Sequence, residues 1–215
     1  MSARTLLDTL LKLLFPDRCV GCRQLGDLFC PVCRAALVPY PGGDRRAAPA
    51  SLHSVHIAFL FQSPLREAIH QLKYRRVQRV AQPLGALLAE HVAGQSLDID
   101  AVLAIPLHAA RLAERGFNQA ESLAREVAQS LRRPLITNQM IRTRATEQQA
   151  HLDARARAEN MRDAFGWQGA PPPRRVLLVD DVYTTGATMA ACAEALRTVG
   201  AEAIYGTALA RSRLS

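Results

Sequence analysis

The chain has 215 residues, 49% of them hydrophobic, and a formal charge of +8 carried almost entirely by arginine, with Lys12 and Lys73 the only lysines. That length supports one ordinary core plus something small, and no stretch approaches the run of about 18 apolar residues that a membrane-spanning helix needs. The charge suits a phosphate ligand and nucleic acid equally, because arginine's planar fork matches phosphate oxygens while the arginines are scattered rather than gathered.

In chain order, Thr5 to Phe15 reads as a short amphipathic helix with Leu6, Leu10, Leu13 and Leu14 on one face, expected to pack on the chain's own body. Asp8 and Lys12 interrupt it and no small-residue cleavage site follows, so it does not read as an export signal, and a reducing, cytoplasmic setting is expected. Next come Cys19-Val20-Gly21-Cys22 and Cys30-Pro31-Val32-Cys33, two knuckles separated by seven residues. A two-residue spacer lets a tight turn aim both thiolates at one ion, with Gly21 permitting the turn, and two such turns complete a tetrahedral four-sulfur site. Cys19, Cys22, Cys30 and Cys33 are therefore read as a closed, structural zinc site; two disulfides or an iron-sulfur centre are the alternatives. The fifth cysteine, Cys192, lies at helical spacing with Met189 and Leu196 and reads as apolar filler.

The stretch from Val38 to Pro49 is rich in breakers and has no hydrophobic period, so it reads as a linker. The expected division is residues 1–40 for the helix and four-Cys module, 41–52 for the linker and 53–215 for a larger domain. Val55 to Phe61 reads as a strand, and Ser63-Pro64 as the start of a helix that buries Leu65, Ile69 and Leu72 and ends near Lys73-Tyr74. A helix over Val80 to Val92, a buried strand over Ala101 to Ile105 stopped by Pro106, a helix from Asn118 and a strand over Leu135 to Ile141 follow. Arg142 to Asp163 is polar with weak periodicity and is expected to be mobile. The last unit is the clearest: strand Arg175 to Asp180, a turn, a helix from about Ala187 to Val199 with Gly200 as its C-cap, and strand Ala203 to Ala210. Alternating strands and helices imply a parallel sheet covered on both faces, with ligands beyond the strand C-termini.

Asp180-Asp181 after four apolar residues is costly unless the carboxylates reach the sheet's C-terminal edge, where they can accept from a sugar's paired hydroxyls or help order a magnesium ion. Thr184-Thr185-Gly186-Ala187-Thr188 then offers hydroxyls and closely spaced backbone N–H groups at a helix N-terminus, a cradle for phosphate. A ribose 5-phosphate fits both. A nucleoside-triphosphate loop is disfavoured because Gly-x-x-x-x-Gly-Lys-Ser/Thr is absent.

Leu178 to Thr188 resembles the phosphoribosyl pyrophosphate (PRPP) motif of type I phosphoribosyltransferases. Together with the Cys-x-x-Cys pairs, Lys73-Tyr74, Ile105-Pro106-Leu107, Arg111, Arg115-Gly116-Phe117-Asn118-Gln119, Arg144, Gln148, Arg157 and Asn160, the whole chain is similar to the ComF/GntX family, which is linked to competence, DNA uptake and the use of DNA as a nutrient. The resemblance implies an α/β phosphoribosyltransferase-like domain behind a small zinc ribbon. It implies PRPP bound with magnesium by Asp180, Asp181 and Thr184 to Thr188, pyrophosphate held near Arg111 and Arg115, and a covering loop over Arg144 to Arg157. Purine-salvage relatives commonly carry Asp at the position of Thr184, which weakens that assignment. Two functional classes follow: a phosphoribosyltransferase acting on an unidentified base or amine, and a non-catalytic PRPP-sensing or DNA-uptake partner protein using the same pocket. Neither needs a nucleophile, so no catalytic role is given to His70, His108 or His151. With 5% aromatic residues, nucleic-acid binding would be electrostatic and weak rather than built on stacking.

Overall fold

The computed structural model describes residues 16–42, 49–74, 77–143 and 164–212. The amphipathic segment before Pro16 and the stretch carrying Arg144, Gln148, Arg157 and Asn160 lie outside the described residues. One parallel sheet is built from β3 (Ser54–Leu60), β4 (Ala101–Ala104), β5 (Leu135–Ile136), β8 (Arg175–Tyr183) and β9 (Ala203–Arg211), in the spatial order β3-β9-β8-β4-β5. Val176 to Val179 of β8 and all of β4 are buried, because helices cover both faces; hence these strands read as continuous apolar runs rather than alternating ones.

One face carries α2 (Leu65–Tyr74), α3 (Ala81–Ala93) and α5 (Gln119–Leu131). Their buried stripes, Leu65, Ala68, Ile69 and Leu72 on α2 and Ala120, Leu123, Ala124 and Val127 on α5, recur at the spacing that puts residues on one side of a helix. The other face carries α6 (Ala187–Thr198), which buries Met189, Cys192, Ala193 and Leu196, and an antiparallel pair, β6 (Met140–Arg142) with β7 (Phe165–Trp167). The expected strand over Leu135 to Ile141 is thus divided between β5 and β6, and the reason is local: Asn138 sits at φ +62, a left-handed geometry that breaks a strand and that asparagine tolerates.

Two further readings change. Val38 to Tyr40, read as part of the linker, instead covers the open edge of β3: Leu60 N–H donates to Val38 O at 2.9 Å and Tyr40 N–H to Ala58 O at 3.0 Å. A short helix that periodicity did not reveal, α4 (Ala109–Arg115), follows β4. At the N-terminal ends of the central strands, Arg175 donates to Asp100 at 2.6 Å and pairs with Asp98, pinning the start of β8 beside β4.

Candidate functional site: an acidic strand end, a phosphate turn and a four-cysteine centre

The four-cysteine module consists of β1 (Asp17–Arg18), β2 (Leu25–Gly26) and α1 (Pro31–Ala35). Cys19 and Cys22 lie on the turn between the two strands, while Cys30 is the N-cap of α1 and Cys33 lies within it. All four Sγ atoms fall within 4.8 Å of one another, with Cys19–Cys33 and Cys22–Cys30 each at 3.6 Å. Zn–S bonds of about 2.3 Å in a tetrahedron put sulfurs roughly 3.8 Å apart, whereas a disulfide needs about 2.05 Å. The donor set fits a single tetrahedral metal and not two bridges. Burial raises the Cys19 thiol, but the N–H groups of Cys30, Cys22 and Gly21 outweigh it and draw Cys19 down to about 6, favouring the thiolate that a metal requires.

Gly21 serves this site by close approach rather than by an unusual φ. A Cβ there would lie 2.8 Å from Cys33 Sγ and 2.9 Å from Pro64 Cβ; the left-handed residue of the turn is Arg23, at φ +69. The module is welded to the sheet's helical face, since Cys19, Phe29, Cys30 and Cys33 share one core with Leu65, Ala68, Leu84 and Leu88. Exposed ion pairs, Arg79–Asp17 at 2.8 Å and Arg34–Glu90 at 2.6 Å, flank that contact and add little by themselves.

The second centre lies where β8 outruns its neighbour. β4 pairs with β8 only as far as Ala104 opposite Val179, the last bond being Ile105 N–H to Val179 O at 3.0 Å, and Pro106 then turns away. On its other side β8 stays paired with β9 up to Tyr183 opposite Arg211. Asp180 and Asp181 thus stand on a strand still held by one neighbour and released by the other.

Strand alternation sends the two carboxylates to opposite faces. Asp181, 3% exposed, points to α2, where Lys73 Nζ meets its Oδ2 at 2.5 Å; its Oδ1 accepts from Val182 N–H at 2.9 Å. Asp180 Oδ1 accepts from Asp181 N–H at 2.8 Å, and its charge is felt by Cys192 on α6 and Arg142 at the end of β6. Burial, then the neighbouring Asp181 charge, push the Asp180 carboxyl up to about 8, with Lys73 acting against them. Arg142, a basic residue that motif reading passed over, lies against Phe165 at 5.5 Å and also feels Arg111.

The turn after β8 is built on Gly186, at φ +81 and the N-cap of α6. Thr185 Oγ1 accepts from Ala187 N–H at 3.4 Å. Thr184 is exposed, and Thr185, Ala187 and Thr188 are half-buried. Beneath the turn lies Tyr183, whose Oη would be 2.1 Å from a Cβ on residue 186 and whose ring carries the Arg211 guanidinium at 4.7 Å.

Arg111 and Arg115 both lie on α4, directly after the β4 end. Arg111 is half-buried, whereas Arg115 is 7% exposed, donates to Gln119 at 3.0 Å and stacks on Tyr74 at 5.3 Å. Asn118 caps α5 by accepting from Ala120 N–H at 3.0 Å and donates through Nδ2 to Ile105 O at 3.0 Å. Much of the Arg115-to-Gln119 motif therefore ties the β4 end, α4 and α5 together, holding the loop beside Asp180 in place. Beyond β4 from Asp180, a cleft of about 100 Å³ is bordered by Pro106, Leu107, Leu112, Thr137 and Met140.

Comparison with known proteins supplies the family. The phosphoribosyl transferase domain matches residues 70–213. DNA utilization protein YhgH of Escherichia coli K12 is 35% identical over 71% of this chain and 69% of its own length, and the YhgH protein of Salmonella typhimurium is 33% identical over 85% and 84%. Competence protein F of Haemophilus influenzae is 37% identical over 53% of this chain and 51% of its own. The crystal structure of TT1426 from Thermus thermophilus aligns with 60% of this chain and 72% of its own at 21% identity, with a TM-score of 0.37. Among the described residues no helix is long and apolar enough to cross a membrane. The chain belongs to the phosphoribosyl transferase domain family, within its ComF/GntX group, with a four-cysteine metal-binding module at its N-terminal end.

Proposed function

We propose that the chain binds PRPP with magnesium at Asp180, Asp181 and Thr184 to Thr188, with pyrophosphate toward Arg111 and Arg115, and transfers the phosphoribosyl group to a base or amine. The observation that carries this is the pair of carboxylates on the unpaired flank of β8, one half-buried and one buried, a single turn from the Gly186 N-cap. Carboxylates there can accept from the vicinal ribose hydroxyls while the N–H groups opening α6 receive the 5′-phosphate.

In the proposed reaction the bond between the anomeric carbon and the pyrophosphate oxygen breaks, its electron pair leaving with pyrophosphate. The acceptor nitrogen's lone pair forms the new bond and its proton passes to solvent. The protein's task is to position and to stabilise charge. Magnesium, when bound with PRPP, would neutralise part of the leaving charge, and Arg111, already close enough to influence Arg142, would face the same polyanion. The four-cysteine centre holds zinc in a structural role, since no donor position is left for substrate.

The names of the relatives, DNA utilization protein and competence protein, support linking this activity to competence and the use of DNA. They also favour a second reading, in which the pocket senses PRPP for a protein partner without turnover. Pyrophosphate release measured over a panel of purine and pyrimidine bases and simple amines separates the two. Release with at least one acceptor, lost in Asp180→Asn/Asp181→Asn, supports the transferase; PRPP binding with no release supports the sensor.

A further inference from the structure

We propose that Lys73 is a further ligand-binding residue of this site, holding Asp181 in the ligand-free chain and passing to the pyrophosphate of PRPP when the ribose hydroxyls take the carboxylate. This rests on the PRPP reading above and assigns a residue that the phosphate and acid motifs do not contain. Lys73 lies in the last turn of α2, on a different element from every other group in the site. Its ammonium is 2.5 Å from Asp181 Oδ2, with the two side chains 19% and 5% exposed. The other oxygen, Oδ1, already accepts from Val182 N–H and keeps one further lone pair, while Oδ2 is buried against the ammonium without a directed hydrogen bond. A ribose hydroxyl that donates to Oδ2 therefore meets Lys73 there.

The choice of residue points the same way. The chain contains 27 basic residues and only two are lysine, yet lysine stands at the position that pairs with the buried acid. An arginine would grip the carboxylate through two parallel N–H bonds and be slow to yield it. An ammonium is a point charge with three rotatable donors on a flexible stem and can exchange one anion for another without losing its pairing. The neighbouring elements supply a destination: Tyr74, the next residue, is stacked against Arg115 of α4, the helix that also carries Arg111. Lys73 therefore lies between the acid that grips ribose and the helix proposed to flank pyrophosphate.

Two ligands that share ribose and 5′-phosphate but differ in pyrophosphate separate these roles. Affinities of PRPP and ribose 5-phosphate, each with magnesium, would be measured for the full chain, Lys73→Met and Lys73→Arg. The expected result is that the preference for PRPP over ribose 5-phosphate falls at least tenfold in Lys73→Met and by less in Lys73→Arg, which keeps the charge but releases Asp181 less readily, whatever either variant does to stability. A structural role would weaken both ligands alike, and that outcome, or no change in either, overturns the proposal. If the unaltered chain binds neither ligand, the PRPP reading itself falls and takes this one with it.

A second measurement needs no variant. With only two lysines, reductive methylation can be followed residue by residue by mass spectrometry: Lys73 should react faster with ribose 5-phosphate bound than in the free chain, and slow again with PRPP. Equal rates in all three states would refute the transfer.

Discussion

Gly186→Ala tests the phosphate turn at the position where backbone and side-chain geometry coincide. Residue 186 has φ +81, and placing a side chain in that left-handed region costs roughly 1–2 kcal/mol. The new Cβ would also meet Tyr183, with Oη at 2.1 Å, Cζ at 2.6 Å and Cε2 at 3.1 Å. Tyr183 is only 4% exposed and is backed by Arg211, so its ring cannot simply swing into solvent; overpacking of this kind adds about 1–3 kcal/mol. The combined loss, about 2–5 kcal/mol, should lower Tm by roughly 4–20 °C in a chain of this size, followed by circular dichroism. Adding Tyr183→Phe removes the closest atom and should return about 1 kcal/mol, a coupling that a double-mutant cycle reads directly. PRPP affinity should drop in Gly186→Ala as well. A single variant within about 0.5 kcal/mol of the parent would mean that Tyr183 does not lie beneath this turn and that the turn's conformation is not the one described.

Four other outcomes are expected. Removing the metal with a chelator, or Gly21→Ala, which drives a methyl against Cys33 Sγ and Pro64, should release zinc in a thiol-reactive assay and lower Tm, because Cys19, Cys30 and Cys33 share a core with α2 and α3. Asn118→Ala should cost about 2 kcal/mol in urea unfolding, from loss of the α5 cap and of the bond to Ile105 O, each worth roughly 1 kcal/mol. The Asp180 carboxyl, raised from 3.8 to about 8 on folding, makes the folded chain bind more protons than the unfolded one between those values, so ligand-free stability should fall as pH rises through that window. PRPP affinity should move the other way, rising toward pH 8 as Asp180 ionises and levelling beyond it, with Asp180→Asn flattening the part of the profile above the phosphate's own titration.

The elements with strong periodicity were legible. β8, α6 and β9 read directly from Val176 to Ala210, and the buried stripe of α5 follows from Ala120, Leu123, Ala124 and Val127. The cysteine spacing alone predicts the cluster that the structure brings within 4.8 Å. What failed to read was set by tertiary contact. α4 has seven residues and one buried side chain, an arginine, so no apolar period marks it. Val38 to Tyr40 is ordered by pairing with β3, which a breaker-rich sequence cannot announce. Gly21 signals a tight turn, yet the need for glycine comes from Cys33 Sγ and from Pro64, 43 positions away in sequence, packing contacts that local rules do not contain.

The candidate site divides in the same way. Asp180, Asp181 and the threonine-rich turn are contiguous, and their chemistry is readable as a motif. Lys73 and Arg142 arrive from other elements, and only the folded sheet brings them to the carboxylates. Arg115 was readable as a basic residue beside the β4 end; its burial between Gln119 and Tyr74 was not.

The most direct test of the account is calorimetric titration of the zinc-loaded chain with PRPP and magnesium, beside Asp180→Asn/Asp181→Asn. Micromolar binding that disappears in the variant, with the variant still folded, is the predicted result. A chain that does not bind PRPP, or that binds it equally well without the two carboxylates, would contradict the account and leave its function to the four-cysteine module and its partners.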